Sequence, residues 1–207
     1  MGDDPHPPHR RDVRHGLPAA KEGRRLPAVP HPDEPAAGRG RRGRESVYAW
    51  GNRGHNTLSI GDAYHDPDGA GRLVGDAETF PAALDLTAAL GDAVTTAVRT
   101  YSILDGDRGV EVTDEWTAAG EAFPTRARLH TEAAVEVDGL SAVLTRGGRR
   151  LRLTADGPEG TRLAAGPMAR LISELDRPQE TVTVIDVLVP TAAGESKTLV
   201  TRLELLD

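Results

Sequence analysis

The sequence predicts an all-β protein, an antiparallel β-sandwich, and three features carry that expectation. From residue 46 onward, short runs rich in Val, Ile, Leu and Thr follow one another. Several alternate apolar and polar residues with period two, which places one strand face on a core and the other in water. Turn residues separate the runs at the spacing of about ten residues that sandwiches favour.

The first strand is expected at 56–60, where a polar Asn-Thr start gives way to Leu58-Ser59-Ile60. One short helix is expected within 80–91, because Ala82-Ala83-Leu84-Asp85-Leu86-Thr87-Ala88-Ala89-Leu90 is rich in strong helix formers. Strands at 93–104 and 109–114 follow across Asp105-Gly106-Asp107, the second resting on the alternation Val110-Glu111-Val112-Thr113. A long strand at 127–137 leads through Asp138-Gly139 to another at 141–145. Gly147-Gly148 then leads to 149–154, where Leu151-Arg152-Leu153 alternates, and Asp156-Gly157-Pro158 ends that run. Asp-Gly and Gly-Gly pairs signal tight hairpins, since these residues accept positive φ. Strands at 168–175, 181–189 and 198–205 complete the fold, the middle one on Thr181-Val182-Thr183-Val184-Ile185-Asp186-Val187. No repeat of fixed period is present.

Composition bounds the chemistry. The 207 residues include no cysteine, which excludes disulfide scaffolds, thiolate metal sites and cysteine nucleophiles. Aromatics are scarce (Phe 2, Trp 2, Tyr 3), so Val, Leu, Ile and Ala must build the core. No apolar run approaches the roughly 18–20 residues of a membrane span, and no membrane partner is expected. The opening Met1-Gly2-Asp3-Asp4-Pro5-His6 lacks the basic and then apolar pattern of a secretory signal.

The net charge of −7 conceals a split. Residues 1–44 carry ten Lys/Arg against six Asp/Glu, eight of the fifteen prolines and no aromatic. With Val13, Leu17, Leu26 and Val29 as its only large aliphatics, this segment buries too little to offset the entropy of ordering it. A disordered basic arm, 1–44, is therefore expected before a folded unit, 45–207. Arg39, Arg41, Arg42 and Arg44 are either a polyanion-binding tail or a solvated one. No aromatics interleave them to stack on bases, so nucleic acid is not expected as a partner. Arg/Pro/Gly/Ala-rich text of this kind also arises when GC-rich DNA is translated out of frame, so a longer reading frame upstream is a third possibility.

Among motifs, there is no Gly-rich phosphate loop, nucleophile elbow or His-Glu-x-x-His. The concentrated segment is Tyr48-Ala49-Trp50-Gly51-Asn52-Arg53-Gly54-His55-Asn56-Thr57-Leu58. It reads either as a sugar-binding or acid–base surface at a strand start, or as an ordinary loop whose Trp packs on the sandwich edge. Composition alone favours the second. His130 is expected at a strand start with one side in water, and His65 in an exposed loop.

The stretch Trp50 to Leu58 resembles the His-Asn-Thr segment of heparinase II/III-like polysaccharide lyases. Leu84-Asp85-Leu86-Thr87-Ala88-Ala89, Val98-Arg99-Thr100-Tyr101, Gly109-Val110-Glu111-Val112-Thr113-Asp114 and Leu129-His130-Thr131 resemble later pieces of that family in the same order. The resemblance implies the C-terminal, all-antiparallel, supersandwich-like β-sandwich of such an enzyme, over residues 45–207. It implies cleavage of uronate-containing glycans, such as glycosaminoglycans, by β-elimination, with an acidic polysaccharide as partner. It also implies an α/α-toroid domain, which these residues do not contain, so the chain is expected to be truncated and inactive alone. By position, His55 is the expected catalytic residue, with Arg53, Asn56, Tyr48 and Trp50 contacting substrate. Some members hold a divalent metal in the sandwich; here His55, Asp85 and His130 are weak candidates, short of the three-ligand set zinc generally needs, and no cofactor is expected. An extracytoplasmic or cell-envelope location is what the family suggests. The alternative is a non-catalytic β-sandwich that binds glycan or packs against a partner domain. A missing toroid would leave Tyr48, Trp50 and Leu58 as an exposed apolar patch.

Overall fold

A computed structural model describes residues 51–61, 65–66, 68–76, 79–120, 123–168 and 181–206. The expected arm, 1–44, together with Tyr48 and Trp50, lies outside them. The described residues form twelve strands in two antiparallel sheets with one four-residue α-helix. The strands are β1 (Leu58–Ile60), β2 (Arg72–Val74), β3 (Ala82–Asp85), β4 (Val94–Ile103), β5 (Gly109–Ala118) and β6 (Phe123–Thr131). After them come β7 (Ala134–Asp138), β8 (Ser141–Arg146), β9 (Arg149–Asp156), β10 (Arg162–Pro167), β11 (Thr183–Thr191) and β12 (Ser196–Leu205). Helix α1 is Thr87–Leu90. The eight-stranded sheet runs β2-β3-β4-β5-β12-β9-β8-β7, and the four-stranded sheet β1-β6-β11-β10. The β-sandwich predicted from the alternating pattern is the fold found.

Period-two alternation explains which side chains meet between the sheets. On β9 and β12, Leu153, Ala155, Leu199 and Thr201 are buried while Arg152, Asp156 and Thr198 face outward. On β11, Ile185, Val187 and Val189 are fully buried, and Leu58 and Ile60 of β1 join them. Trp116 on β5, only 2% exposed, is the largest side chain of this core. Leu58, expected in an exposed patch, is 1% exposed: it faces inward from β1 against Ala127 of β6.

Three expectations are corrected. The helical stretch 80–91 divides into β3 and α1, because Ala82–Asp85 is paired on both sides, with β2 and β4. Ladder bonds on two edges outweigh the mild helix preference of Ala and Leu. The long strand 127–137 is two strands in different sheets. The chain breaks at Glu132-Ala133, where the Ala133 N–H donates to Thr131 Oγ1 at 3.1 Å and Ala133 turns into the core. Asp156-Gly157 makes no hairpin; it carries the chain from β9 in one sheet to β10 in the other. The strand expected at 168–175 lies, from residue 169 onward, outside the described set; β10 precedes it at Arg162–Pro167. By contrast Gly147-Gly148, with φ of 57° and 80°, forms the two-residue turn between β8 and β9. Two consecutive positive φ values match the twist of the strands they join.

Candidate functional site

The segment Gly51–Thr57 enters β1 through a tight turn at Asn52–Gly54. Its hydrogen bonds are local: the Gly54 N–H reaches Gly51 O at 3.1 Å, His55 N–H reaches Asn52 O at 3.2 Å, and Thr57 N–H reaches His55 O at 3.0 Å. Asn52 is buried and its Nδ2 donates to Ser59 Oγ at 2.9 Å. The His55 side chain, in contrast, is exposed and meets no hydrogen-bond partner among the described residues.

Asn56 is the node of the site. The backbone N–H of His130 donates to Asn56 Oδ1 at 2.9 Å, and His130 Nδ1 stands 3.0 Å from the same oxygen. A backbone N–H can only donate, so this contact identifies the amide oxygen without ambiguity. A proton on His130 Nδ1 is donated to Asn56 Oδ1, which can only accept, and the Arg53 carbonyl is a second acceptor for the same ring. The Asn56 NH2 group, on an exposed side chain, meets no partner among the described residues.

Two buried arginine–aspartate pairs support the loop. Arg99 on β4 faces the core, in the same phase as Ala97, and Asp114 of β5 is its cross-strand partner. Arg99 Nε meets Asp114 Oδ1 at 2.7 Å and Nη2 meets Oδ2 at 2.9 Å, leaving Nη1 to donate to Asn56 O at 3.2 Å. Arg128 on β6 pairs across the ladder with Asp186 of β11, at 2.7 Å for both bonds, and its Nη1 donates to Arg53 O at 3.3 Å. Burial alone would lower the Arg99 pKa, but the bonds and charge of Asp114, with a contribution from Tyr101, hold it above its ordinary value.

Electrostatics separate the three histidines. His130 is pushed down to about 4, first by burial and then by the Arg128 charge; Asp186 and the Arg53 carbonyl oppose this incompletely. His65, expected in an exposed loop, is half-buried, with Nε2–H donating to Leu58 O at 2.9 Å. It went unrecognised because its anchor is a backbone carbonyl, which no side-chain motif announces. Its pKa is lowered chiefly by burial, although the Leu58 carbonyl acts the other way. Both rings sense His55 electrostatically, so the three imidazoles converge on one loop.

Of the sequence-predicted site residues, Arg53, His55, Asn56 and His130 come together. Arg53 contributes its carbonyl, to Arg128. Asp85 does not join them: its Oδ1 accepts the Thr87 N–H at 2.9 Å at the start of α1, and that bond lowers its pKa. No group of three or more His, Asp or Glu able to hold a metal is present among the described residues, so no step is derived through one. Asp186, Arg128 and Asn52 were not singled out by motif, since each is one polar residue within a strand or turn. Arg99 and Asp114 lay within stretches that resemble later pieces of the lyase family, although no role was assigned to either.

No family model and no curated protein matches this sequence. Solved structures do resemble the fold. A heparinase III with methylated lysines superimposes with a TM-score of 0.61 at 13% identity, covering 83% of this chain and 26% of that one. Another heparinase III gives 0.57 at 16% identity, covering 76% and 24%. The heparan sulfate lyase HepC from Pedobacter heparinus gives 0.58 at 12% identity, covering 74% and 24%. The chain thus has a heparinase-like fold and spans about a quarter of the length of each of those structures.

Proposed function

We propose that the chain is the β-sandwich part of a polysaccharide lyase that cleaves uronate-containing glycans by β-elimination. In that reaction a base takes the proton at C5 of the uronate. The C4–O4 bond then breaks as a C4–C5 double bond forms, and an acid protonates the departing oxygen. The protein must supply one group that exchanges protons near neutral pH and donors that stabilise the charge developing on the carboxylate. His55 fits the first role, being an exposed imidazole without a hydrogen-bond partner among the described residues. The Asn56 NH2 fits the second. The observation that carries the reading is the double contact of His130 on Asn56 Oδ1, which engages the oxygen and leaves the NH2 of an exposed residue, next to His55 in the chain, for a ligand.

An α/α-toroid domain would supply the second proton-transfer group, and an acidic polysaccharide would be the substrate. Non-catalytic glycan binding is the second reading, favoured by the engagement of the other two site histidines: His65 with Leu58 O and His130 with Asn56. A titration of the chain with a uronate oligosaccharide, followed by NMR at the His55 ring and the Asn56 NH2, tests the shared premise. Both signals should move, and Asn56→Ala should weaken binding about fivefold to tenfold, the loss of ~1–1.4 kcal/mol expected for a removed hydrogen bond. Signals that stay still at saturating oligosaccharide would sink both readings. Ultraviolet detection of unsaturated uronate, in a protein that joins this sandwich to a toroid domain, separates lyase from binder.

A further inference from the structure

We infer that Arg99 and Arg128 are positioning residues for the His55 loop, a clamp with one jaw in each sheet; its catalytic relevance rests on the reading of that loop given above. The two arginines use the same three-point geometry. Nε and Nη2 grip the aspartate on the neighbouring strand, and Nη1 donates to a loop carbonyl. The carbonyls so held, Arg53 O and Asn56 O, lie on either side of His55 in the chain. Arg99–Asp114 belongs to the eight-stranded sheet and Arg128–Asp186 to the four-stranded one, so the loop is referenced to both.

Burial makes this more than an incidental bond pattern. The side chains of the first pair are 8% and 2% exposed, those of the second 10% and 11%. Buried ion pairs are costly to desolvate and need not stabilise a fold relative to apolar residues of similar volume. What they supply is direction. A guanidinium is planar, and once two of its nitrogens are committed to a carboxylate the third N–H points along a fixed line. Three further contacts complete the grip: the Arg128 N–H reaches Thr57 O at 3.0 Å, and His130 holds Asn56 Oδ1 with its backbone N–H and its ring. A loop of one short turn and several bends, whose own hydrogen bonds are all local, thereby presents His55 and the Asn56 NH2 in one orientation. Lysine keeps the charge but cannot span carboxylate and carbonyl together.

The test reads loop order separately from global stability. In the wild-type chain, the backbone amides of His55 and Asn56 should show order parameters near ~0.85, as rigid strands do. Arg128→Lys should raise amide hydrogen exchange at His55 and Thr57 by ~10-fold or more relative to β12, and Arg99→Lys should do the same from the other jaw. Wild-type order parameters below ~0.6 would overturn the inference even if neither variant folds. So would exchange that rises equally in the loop and β12, or that leaves the loop unchanged. A loop that loosens as described in a protein that binds no uronate oligosaccharide upholds the clamp and removes both functional readings of the loop, lyase and glycan binder.

Discussion

At the scale of single residues, the site is governed by which atoms are already committed. His130 shares Asn56 Oδ1 between its backbone N–H and its ring, and the nearby Arg128 charge helps keep the ring neutral. Asn56→Asp places a carboxylate at that ring nitrogen, which favours the imidazolium, so the His130 pKa should rise from about 4. An NMR titration of the ring checks the direction; a further fall would show that the contact is misread. The same ring makes stability depend on pH. Its folded pKa lies below the ordinary histidine value near ~6.5, so the unfolded chain binds the extra proton first as pH drops. Stability should therefore fall between about pH 6.5 and 4 and flatten below, and the lowered pKa of His65 adds in the same sense. Denaturant melts across that window, with His130→Gln showing a weaker dependence, provide the measurement. His55→Ala should leave the melt within ~0.5 kcal/mol, as exposed substitutions do. Under the lyase reading, in a protein that joins this sandwich to a toroid domain, it should cost ~10²–10⁴-fold in elimination rate, the usual loss for a general acid or base.

At the scale of elements, ladders and turns decide stability. Gly148 sits at φ 80° in the β8–β9 turn, with open space around a Cβ position. Gly148→Val therefore strains only the backbone and should cost ~1–2 kcal/mol, measured as a shift of the urea midpoint. Asp114→Asn strikes the β4–β5 ladder where it holds a buried guanidinium. Leaving Arg99 without its counter-charge should cost about 3–5 kcal/mol. An effect below ~1 kcal/mol would mean that water enters the pair and restores its solvation. The elements also show where pattern reading stops. Alternation located both halves of 127–137 as extended chain, but the crossing at Glu132-Ala133 depends on a Thr131 hydroxyl bond and the burial of one alanine.

At the scale of the molecule, the two sheets of the described residues are unequal, with four strands against eight. Large apolar side chains remain outside the core, including the cross-strand pair Ile103 and Val110 at 41% and 37% exposure. His55 is the exposed imidazole of the site, while His65 and His130 are engaged. β-Elimination needs both a base and an acid. Incubated alone with heparan-type polymers or alginate, the chain should therefore release no unsaturated uronate above an enzyme-free control. Clear product from the chain alone would mean that both groups already reside here, and the half-site account would be lost.

The sequence by itself determined the all-β class, most strand positions and the loop that carries His55 and Asn56. Those properties are local: side-chain alternation sets which face of a strand is buried, Gly-Gly sets a turn, and neighbouring residues make a motif. Tertiary structure decided the rest. Asp85 was left at the start of α1 by its bond to Thr87, while His130, 74 residues beyond Asn56, was brought onto its side chain. Arg128 and Asp186, 58 residues apart, became a buried pair only because β11 lies beside β6. Local propensity carries no record of strand order, since pairing partners are chosen by how two whole faces bury each other. The hold on the His55 loop is accordingly a property of the packed sheets.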